Sequence, residues 1–118
     1  EYFNNLNKNK FDEAVSYLSE SVLFSFNKNE VDIDGHDNLK IQLKRWKEKL
    51  DKNNLYLKLH EIESIKIWSR MTMVDVKQGE YDLMSNDMVR EVRRYYHFVN
   101  FGEVGWKIIS IADAKIEN

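Results

Sequence analysis

The sequence predicts an α+β fold in which a curved antiparallel sheet wraps around three helices from the first half of the chain. Apolar residues in the first half recur mainly at helical spacing, whereas those in the second half alternate with polar residues. Proline is absent and only four glycines occur, so few sharp breaks interrupt long helices and strands. Because helices and strands are largely segregated along the chain, one α+β domain covering residues 1–118 is expected.

Two short helices are expected to open the chain. Tyr2, Phe3 and Leu6 share one helical face, and the polar segment 7–10 that follows is typical of a turn. The apolar stripe of the second helix comprises Phe11, Ala14, Val15 and Leu18. Alternation of apolar and polar residues over 22–27, VLFSFN, then predicts the first strand.

The third helix has the clearest pattern in the chain. It follows an extended piece and a turn over residues 30–38, in which Gly35 supplies the positive φ angle. Its apolar residues are spaced at i, i+4, i+7 and i+11: Leu39, Leu43, Trp46 and Leu50. This spacing predicts an amphipathic helix over about residues 37–51.

The second half of the chain predicts an antiparallel meander. Residues 55–60 alternate, and beyond Glu63 the apolar phase shifts to Ile65 and Ile67, which indicates a bulge or bend within one strand. The remaining predicted elements are strands at 72–84, 88–101 and 106–114, with turns at 85–87 and 102–105. A curved sheet of this kind, covered by three helices, is expected to leave a conical cavity between its two layers.

Composition and motifs exclude several classes of function. The formal net charge of −2 and the pI near 5.9 argue against a nucleic-acid-binding protein. No cysteine is present, so disulfides and thiolate chemistry are excluded, and no apolar run approaches the ~20 residues of a membrane helix. His36, His60 and His97 are too widely spaced to predict a metal site, and no glycine-rich motif points to a nucleotide cofactor. We therefore expect no cofactor and a cytoplasmic location, with a processed exported form as the alternative because the chain begins at Glu1.

Three stretches together resemble the nuclear transport factor 2-like superfamily, whose fold is also called cystatin-like. Residues 2–26 look like its opening helices and first strand, and residues 31–46 resemble its glycine-containing loop and third helix. GWKIISIADA, residues 105–114, is similar to its last strand. The resemblance implies a cone-shaped α+β fold. It does not select a function, because the superfamily includes ketosteroid isomerases, polyketide cyclases of the SnoaL type, dehydratases and non-enzymatic association domains.

The resemblance also implies candidate catalytic residues. Tyr2 occupies the position of a tyrosine that donates its hydroxyl to a ligand oxygen in ketosteroid isomerases, and His97 falls near the acid of the same site. Phe26 stands where those enzymes have their aspartate base, so their mechanism is not expected here. In the cyclase branch, His97 and Asp113 are the matching candidates for acid–base work. Each candidate also has a structural interpretation: Tyr2 as a core anchor, His97 as a residue at a sheet surface or a dimer contact, and Asp113 as an ordinary charge at a strand end.

Our leading hypothesis from the sequence is a domain that binds a small apolar or amphipathic molecule and forms a homodimer through its sheet. The residues expected to line the pocket are Phe26, Trp46, Tyr95, Val99 and Ile108. The first alternative is a cyclase, isomerase or dehydratase that uses His97 with Tyr2 or Asp113. The second is a homo-oligomeric association domain whose cavity is filled by its own side chains.

Overall fold

Three α-helices, a short 3-10 helix (Gly102–Val104) and one six-stranded sheet form the regular structure of the part of the chain described by the structure, a computed structural model covering residues 2–26 and 29–113. The helices are α1 (Tyr2–Asn7), α2 (Phe11–Val15) and α3 (His36–Lys52). The strands are β1 (Leu18–Phe26), β2 (Asn29–Asp34), β3 (Leu55–Trp68), β4 (Met71–Asp82), β5 (Met88–Asn100) and β6 (Trp106–Asp113). The α+β class and the order of elements predicted from the sequence are confirmed.

The strands follow the order β2-β1-β6-β5-β4-β3, so that β2 and β3 form the two edges of the sheet. Every neighbouring pair is antiparallel except β1 with β6, which is parallel. The parallel pair arises because β6, the last strand, returns to the middle of the sheet and inserts between β1 and β5. The long β3–β4–β5 meander therefore lies on one side of β6 and the β1–β2 hairpin on the other.

The end of the second helix and the start of the first strand differ from the predictions. The second helix ends at Val15, and Leu18, which was assigned to its stripe, opens β1 by pairing with Ile108 of β6. An apolar residue at helical spacing is equally suited to begin a buried strand, so the local pattern does not show whether Leu18 ends the helix or begins the strand. Asn27 and Ala114, the predicted ends of the first and last strands, lie outside the described residues.

The predicted bulge in the long strand β3 is confirmed. The pairing register of β3 with β4 shifts between Leu59 and Glu61 and again between Ile62 and Ser64. Each shift changes which face of the sheet the following side chains occupy.

One continuous hydrophobic core lies between the helices and one face of the sheet. It consists of Leu6, Ala14, Val15, Leu18, Val22, Phe24, Leu39, Leu43, Val76, Tyr96, Ile108 and Ile111. We call this helix-covered face of the sheet the inner face and the opposite one the outer face. Except at the register shifts, side chains alternate between the two faces along each strand, so the core residues fix the orientation of their neighbours.

Candidate functional site

A cavity of about 590 Å³ lies between α1 and the inner face of β3, β4 and β5. Its lining comprises Tyr2, Phe3, Asn4 and Asn7 from α1, Tyr56, Leu57, Lys58, Leu59 and Ile62 from β3, Val74 and Val76 from β4, Tyr96 and Phe98 from β5, and Ile108 from β6. This volume is within the range of small-molecule sites in proteins, and most of the lining side chains are apolar or aromatic.

Helix α1 forms one wall of the cavity, and two kinds of contact hold it in place. Leu6 is buried in the core, and the Phe3 ring packs edge-on against the Tyr96 ring with centroids 6.2 Å apart. The Asn7 side chain joins α1 to the edge strand: its Nδ2 donates to the carbonyl of Leu57 at 2.6 Å, and its Oδ1 accepts from the backbone N–H of Leu57 at 3.0 Å. A six-residue helix is too short to be stable alone, so these tertiary contacts define the wall.

Two protonated tyrosines, Tyr2 and Tyr96, line the cavity. Burial is the main reason that the pKa values of Tyr2 and Tyr96 lie well above their usual value of 10.0, so both hydroxyls keep their protons at neutral pH. The Tyr96 hydroxyl donates to Oε1 of Gln78, which is fully buried. Tyr2 therefore supplies a neutral hydroxyl donor at the wall of the cavity.

An ion pair lies on the inner face near these tyrosines. Nε of Arg94 donates to Oδ1 of Asp113 at 2.9 Å, and the Arg94 guanidinium stacks over the Phe26 ring at 4.3 Å. The positive charge of Arg94 acts on both Tyr2 and Tyr96 and partly offsets the rise of their pKa values. Arg94 and Asp113 do not line the cavity; among residues 2–26 and 29–113, the charged residue in its lining is the exposed Lys58.

Of the five residues predicted to line the pocket, the structure places one in the cavity lining and four elsewhere. Ile108 lines the cavity. Phe26 and Trp46 pack against each other, with ring centroids 5.7 Å apart, beside the core and outside the cavity lining. Tyr95 and Val99 lie on the outer face, because Tyr96 and Phe98, which alternate with them along β5, line the cavity.

His97 also lies on the outer face, paired with Met73 on one side and Ser110 on the other. Partial burial lowers the pKa of His97, and its Nδ1 atom is buried with no hydrogen-bond partner among the described residues. The sheet thus separates His97 from Tyr2, and the two side chains do not converge on one ligand atom. Asp113 lies on the inner face with Arg94, so the three candidate catalytic residues are not brought together. Their catalytic roles stay predictions.

Sequence reasoning missed Asn7 and the aliphatic side of β3. Asn7 was assigned to a polar turn, and its partner Leu57 is 50 positions away, so no local pattern links them. Leu59 belongs to the alternating segment of β3 and Ile62 lies between that segment and the shifted one, but the sequence did not indicate that both face a cavity.

No group of three histidine, aspartate or glutamate side chains within residues 2–26 and 29–113 is arranged to hold a metal ion. In the same part of the chain, none of the helices combines the length and the apolar character that crossing a bilayer requires.

No protein-family model matches this sequence, and no curated protein matches it at a significant level. Solved structures do match the fold. A nuclear transport factor 2-like protein with a cystatin-like fold from Novosphingobium aromaticivorans aligns with a TM-score of 0.78 at 9% identity, covering 99% of this chain and 76% of its own.

Two further solved structures agree. A protein of unknown function with a cystatin-like fold from Nostoc punctiforme has a TM-score of 0.75 at 8% identity and covers 95% of this chain and 80% of its own. A nuclear transport factor 2-like protein of unknown function from Shewanella oneidensis has a TM-score of 0.70 at 18% identity, and the alignment covers 97% of this chain and 90% of its own. The chain therefore has the nuclear transport factor 2-like, cystatin-like fold that its sequence resembles.

Proposed function

We propose that this chain binds a small neutral molecule, apolar or amphipathic, in the cavity between α1 and β3. The observation that carries the proposal is the cavity of about 590 Å³, whose lining is mainly apolar and includes few polar groups. Sites of this kind bind their ligands through apolar contact, and a small number of polar groups fix the orientation.

The charges around the cavity favour a neutral ligand. A buried charge is costly unless an opposite charge pairs with it, and Lys58, the charged lining residue in the part of the chain that the structure describes, is exposed. Arg94, a half-buried cation on the same face of the sheet, is already paired with Asp113. We assign the Tyr2 hydroxyl as the donor to a ligand oxygen, because Tyr2 is protonated and lines the cavity.

A fluorescence titration with N-phenylnaphthylamine, a neutral apolar probe, tests the proposal. Val74 and Met73 are consecutive, half-buried residues of β4, and only Val74 lines the cavity. We expect Val74→Trp to fill the cavity and reduce probe affinity by at least about tenfold, since a tryptophan occupies much of the space that the probe needs. Met73→Trp should leave probe affinity unchanged. Equal affinity in both variants would show that the probe binds elsewhere.

A second proposal concerns the outer face, which we propose to be the contact of a homodimer. The outer face of an antiparallel sheet open to water is usually polar. Here it includes apolar side chains from four strands: Leu23, Trp68, Met71, Met73, Tyr95 and Val99. Burial of such a surface by a second copy is favourable, and an isologous pairing gives a closed assembly.

Sedimentation velocity measures whether the outer face holds two chains together. Met73→Lys places a charge at the centre of the outer face, and we expect it to convert a dimer to a monomer. Ile41→Lys, an exposed position on α3, is the matched control and should keep the dimer. A wild-type chain that sediments as a monomer at high concentration would contradict the dimer without affecting the cavity.

A further inference from the structure

A row of aliphatic side chains leads out of the cavity along the inner face of β3. We call it the aliphatic row; it consists of Leu57, Leu59, Ile62, Ile65 and Ile67. We infer that the ligand of the cavity is a linear long-chain amphiphile, with its polar end inside the cavity and its tail on the aliphatic row. This inference rests on the proposed function and deepens it by naming the chemical class of the ligand.

The pairing of β3 with β4 shows that the row is continuous with the cavity. Ile62 pairs with Val76 and Ile65 with Val74, and both valines line the cavity. Directly paired residues of neighbouring strands point to the same face and lie about 5 Å apart. Ile65 therefore extends the apolar lining from β4 to the edge strand β3, and Ile67 extends it towards the end of the β3–β4 hairpin.

Exposure rises along the row as it leaves α1. Leu59 and Ile62, which line the cavity, are 41% and 49% exposed, and Ile65 and Ile67 are 54% and 73% exposed. From Leu57 to Ile67 the strand runs for about 30 Å at ~3.3 Å per residue. An open strip of this length is suited to an extended chain, whereas a compact ring system would fill only the cavity.

The bulges of β3 keep charged side chains away from the row. The ammonium of Lys77, on the outer face, lies 2.7 Å from Glu63 and 3.7 Å from Glu61, so both carboxylates are held on that side. Lys66 pairs with Met73, which is also on the outer face. The side chains on the row are thus exclusively aliphatic, which is suited to a hydrocarbon tail and provides no hydrogen-bonding partner for a polar chain.

The two ends of the site differ in chemistry, and this difference sets the direction of the ligand. The cavity lining includes Tyr2 and the aromatic side chains of Phe3, Tyr96 and Phe98, whereas aliphatic residues alone form the row. A hydroxyl or carbonyl at one end of the ligand can accept a hydrogen bond from Tyr2, while the tail leaves between α1 and β3. A peptide added as an extra strand to the β3 edge is less compatible, because the two register shifts interrupt the edge that it would need.

Displacement of N-phenylnaphthylamine by a series of primary alcohols, from octanol to tetradecanol, tests the inference. Full burial of a methylene group is worth about fourfold in affinity, and a tail lying on an open row buries about half of its surface. We therefore expect affinity to rise about twofold per methylene in the wild-type chain. Affinity that does not rise with chain length beyond octanol would overturn the inference.

Two matched variants test the contact of the ligand tail with the aliphatic row separately from binding in the cavity. Ile65→Ser removes an exposed apolar contact from the row, and Ile41→Ser does the same on α3, away from the site. We expect Ile65→Ser to leave octanol affinity unchanged and to lower tetradecanol affinity about fivefold or more, with no effect of Ile41→Ser. Identical chain-length series in the two variants would overturn the inference.

The same assay distinguishes failure of the inference from failure of the proposed function. Probe binding that is sensitive to Val74→Trp, together with a flat alcohol series, would retain the cavity as a binding site and reject the linear ligand. Probe binding that is insensitive to Val74→Trp would reject both. Tyr2→Phe is expected to lower the affinity of all the alcohols by a similar factor, because it removes the donor at the head and leaves the row unchanged.

Discussion

The two faces of β5 carry nearly the same types of side chain and have different surroundings. On the inner face, Tyr96 is buried, donates a hydrogen bond to Gln78 and packs against Phe3 of α1. On the outer face, Tyr95 and His97 are half-buried, and the Nδ1 atom of His97 has no partner among the described residues. The comparison teaches that the position of the helices, and not the local composition of the strand, decides which face can form a binding site.

The outer face nevertheless includes a bidentate polar contact with a buried carboxylate. Nε and Nη2 of Arg93 donate to the two carboxylate oxygens of Asp75 at 2.9 and 2.5 Å, and the Asp75 side chain is only 5% exposed. The paired carboxylate raises the pKa of Arg93. A bidentate pair of this kind satisfies the buried carboxylate, so the outer face is partly apolar without being a second core.

The largest expected difference between the faces is in stability. Phe24 and Leu23 are consecutive residues of β1 and are 3% and 37% exposed. Phe24→Ala should lower the free energy of unfolding of the monomer by about 4 kcal/mol, because it opens a cavity in the core, and Leu23→Ala by less than about 1 kcal/mol. Chemical denaturation at a concentration low enough to keep the chain monomeric measures both values. Equal costs of the two substitutions under these conditions would contradict the assignment of Leu23 to the outer face.

A smaller difference is expected for the two tyrosines of β5. Tyr96→Phe leaves the buried amide oxygen of Gln78 without its donor, and we expect a loss of about 2 kcal/mol in the free energy of unfolding. Tyr95→Phe, its matched control on the outer face, should change that free energy by less than about 0.5 kcal/mol. Equal losses from urea titrations of the two variants would contradict the assignment of Tyr96 to the inner face.

Alkaline pH provides a third comparison, because burial raises the pKa values of Tyr2 and Tyr96 above 10.0. Above this pH the unfolded chain loses phenolic protons that the folded chain keeps, so stability falls as pH rises. Each tyrosine contributes at most about 1.4 kcal/mol per pH unit. We expect Tyr2→Phe to make the fall of stability above pH 10.0 less steep, as measured by urea unfolding at several pH values. An unchanged slope would place the Tyr2 hydroxyl in water.

The smallest expected effect is that of His97 on the outer face. Partial burial lowers its pKa below the usual 6.5, so the unfolded chain takes up a proton before the folded chain does. Stability should therefore fall as pH drops below 6.5, by less than about 1 kcal/mol because His97 is only partly buried. His97→Gln should remove this dependence in acid unfolding curves. A stability that rises on acidification would contradict the burial of His97.

The fold was predictable from the sequence because its strongest signals are periodic. Leu39, Leu43 and Leu50 recur at helical spacing and are all buried on α3, and the long strand β5 ends within one residue of its predicted end. The site was less predictable. On β5 both alternating sets contain aromatic residues, so alternation does not tell Tyr95 from Tyr96, and the choice between the faces depends on α1.

Contacts between distant segments were not accessible to sequence reasoning. The bond between Asn7 and Leu57 joins residues 50 positions apart, and neither residue has a local signal for it. The aliphatic row depends on two register shifts in β3. The sequence indicated a change of phase in this strand, but it did not indicate which face Ile62 and Ile65 would occupy or that this face would be left open.

The central claim is that the inner face of the sheet and α1 enclose a hollow that takes a neutral ligand. A crystal structure of the chain grown with dodecanol tests it most directly. We predict density for the alcohol between α1 and β3, with its oxygen about 3 Å from the Tyr2 hydroxyl and its tail along Ile62 and Ile65. A hollow filled by the side chains of Tyr2 and Phe3, or alcohol bound only on the outer face, would contradict the claim.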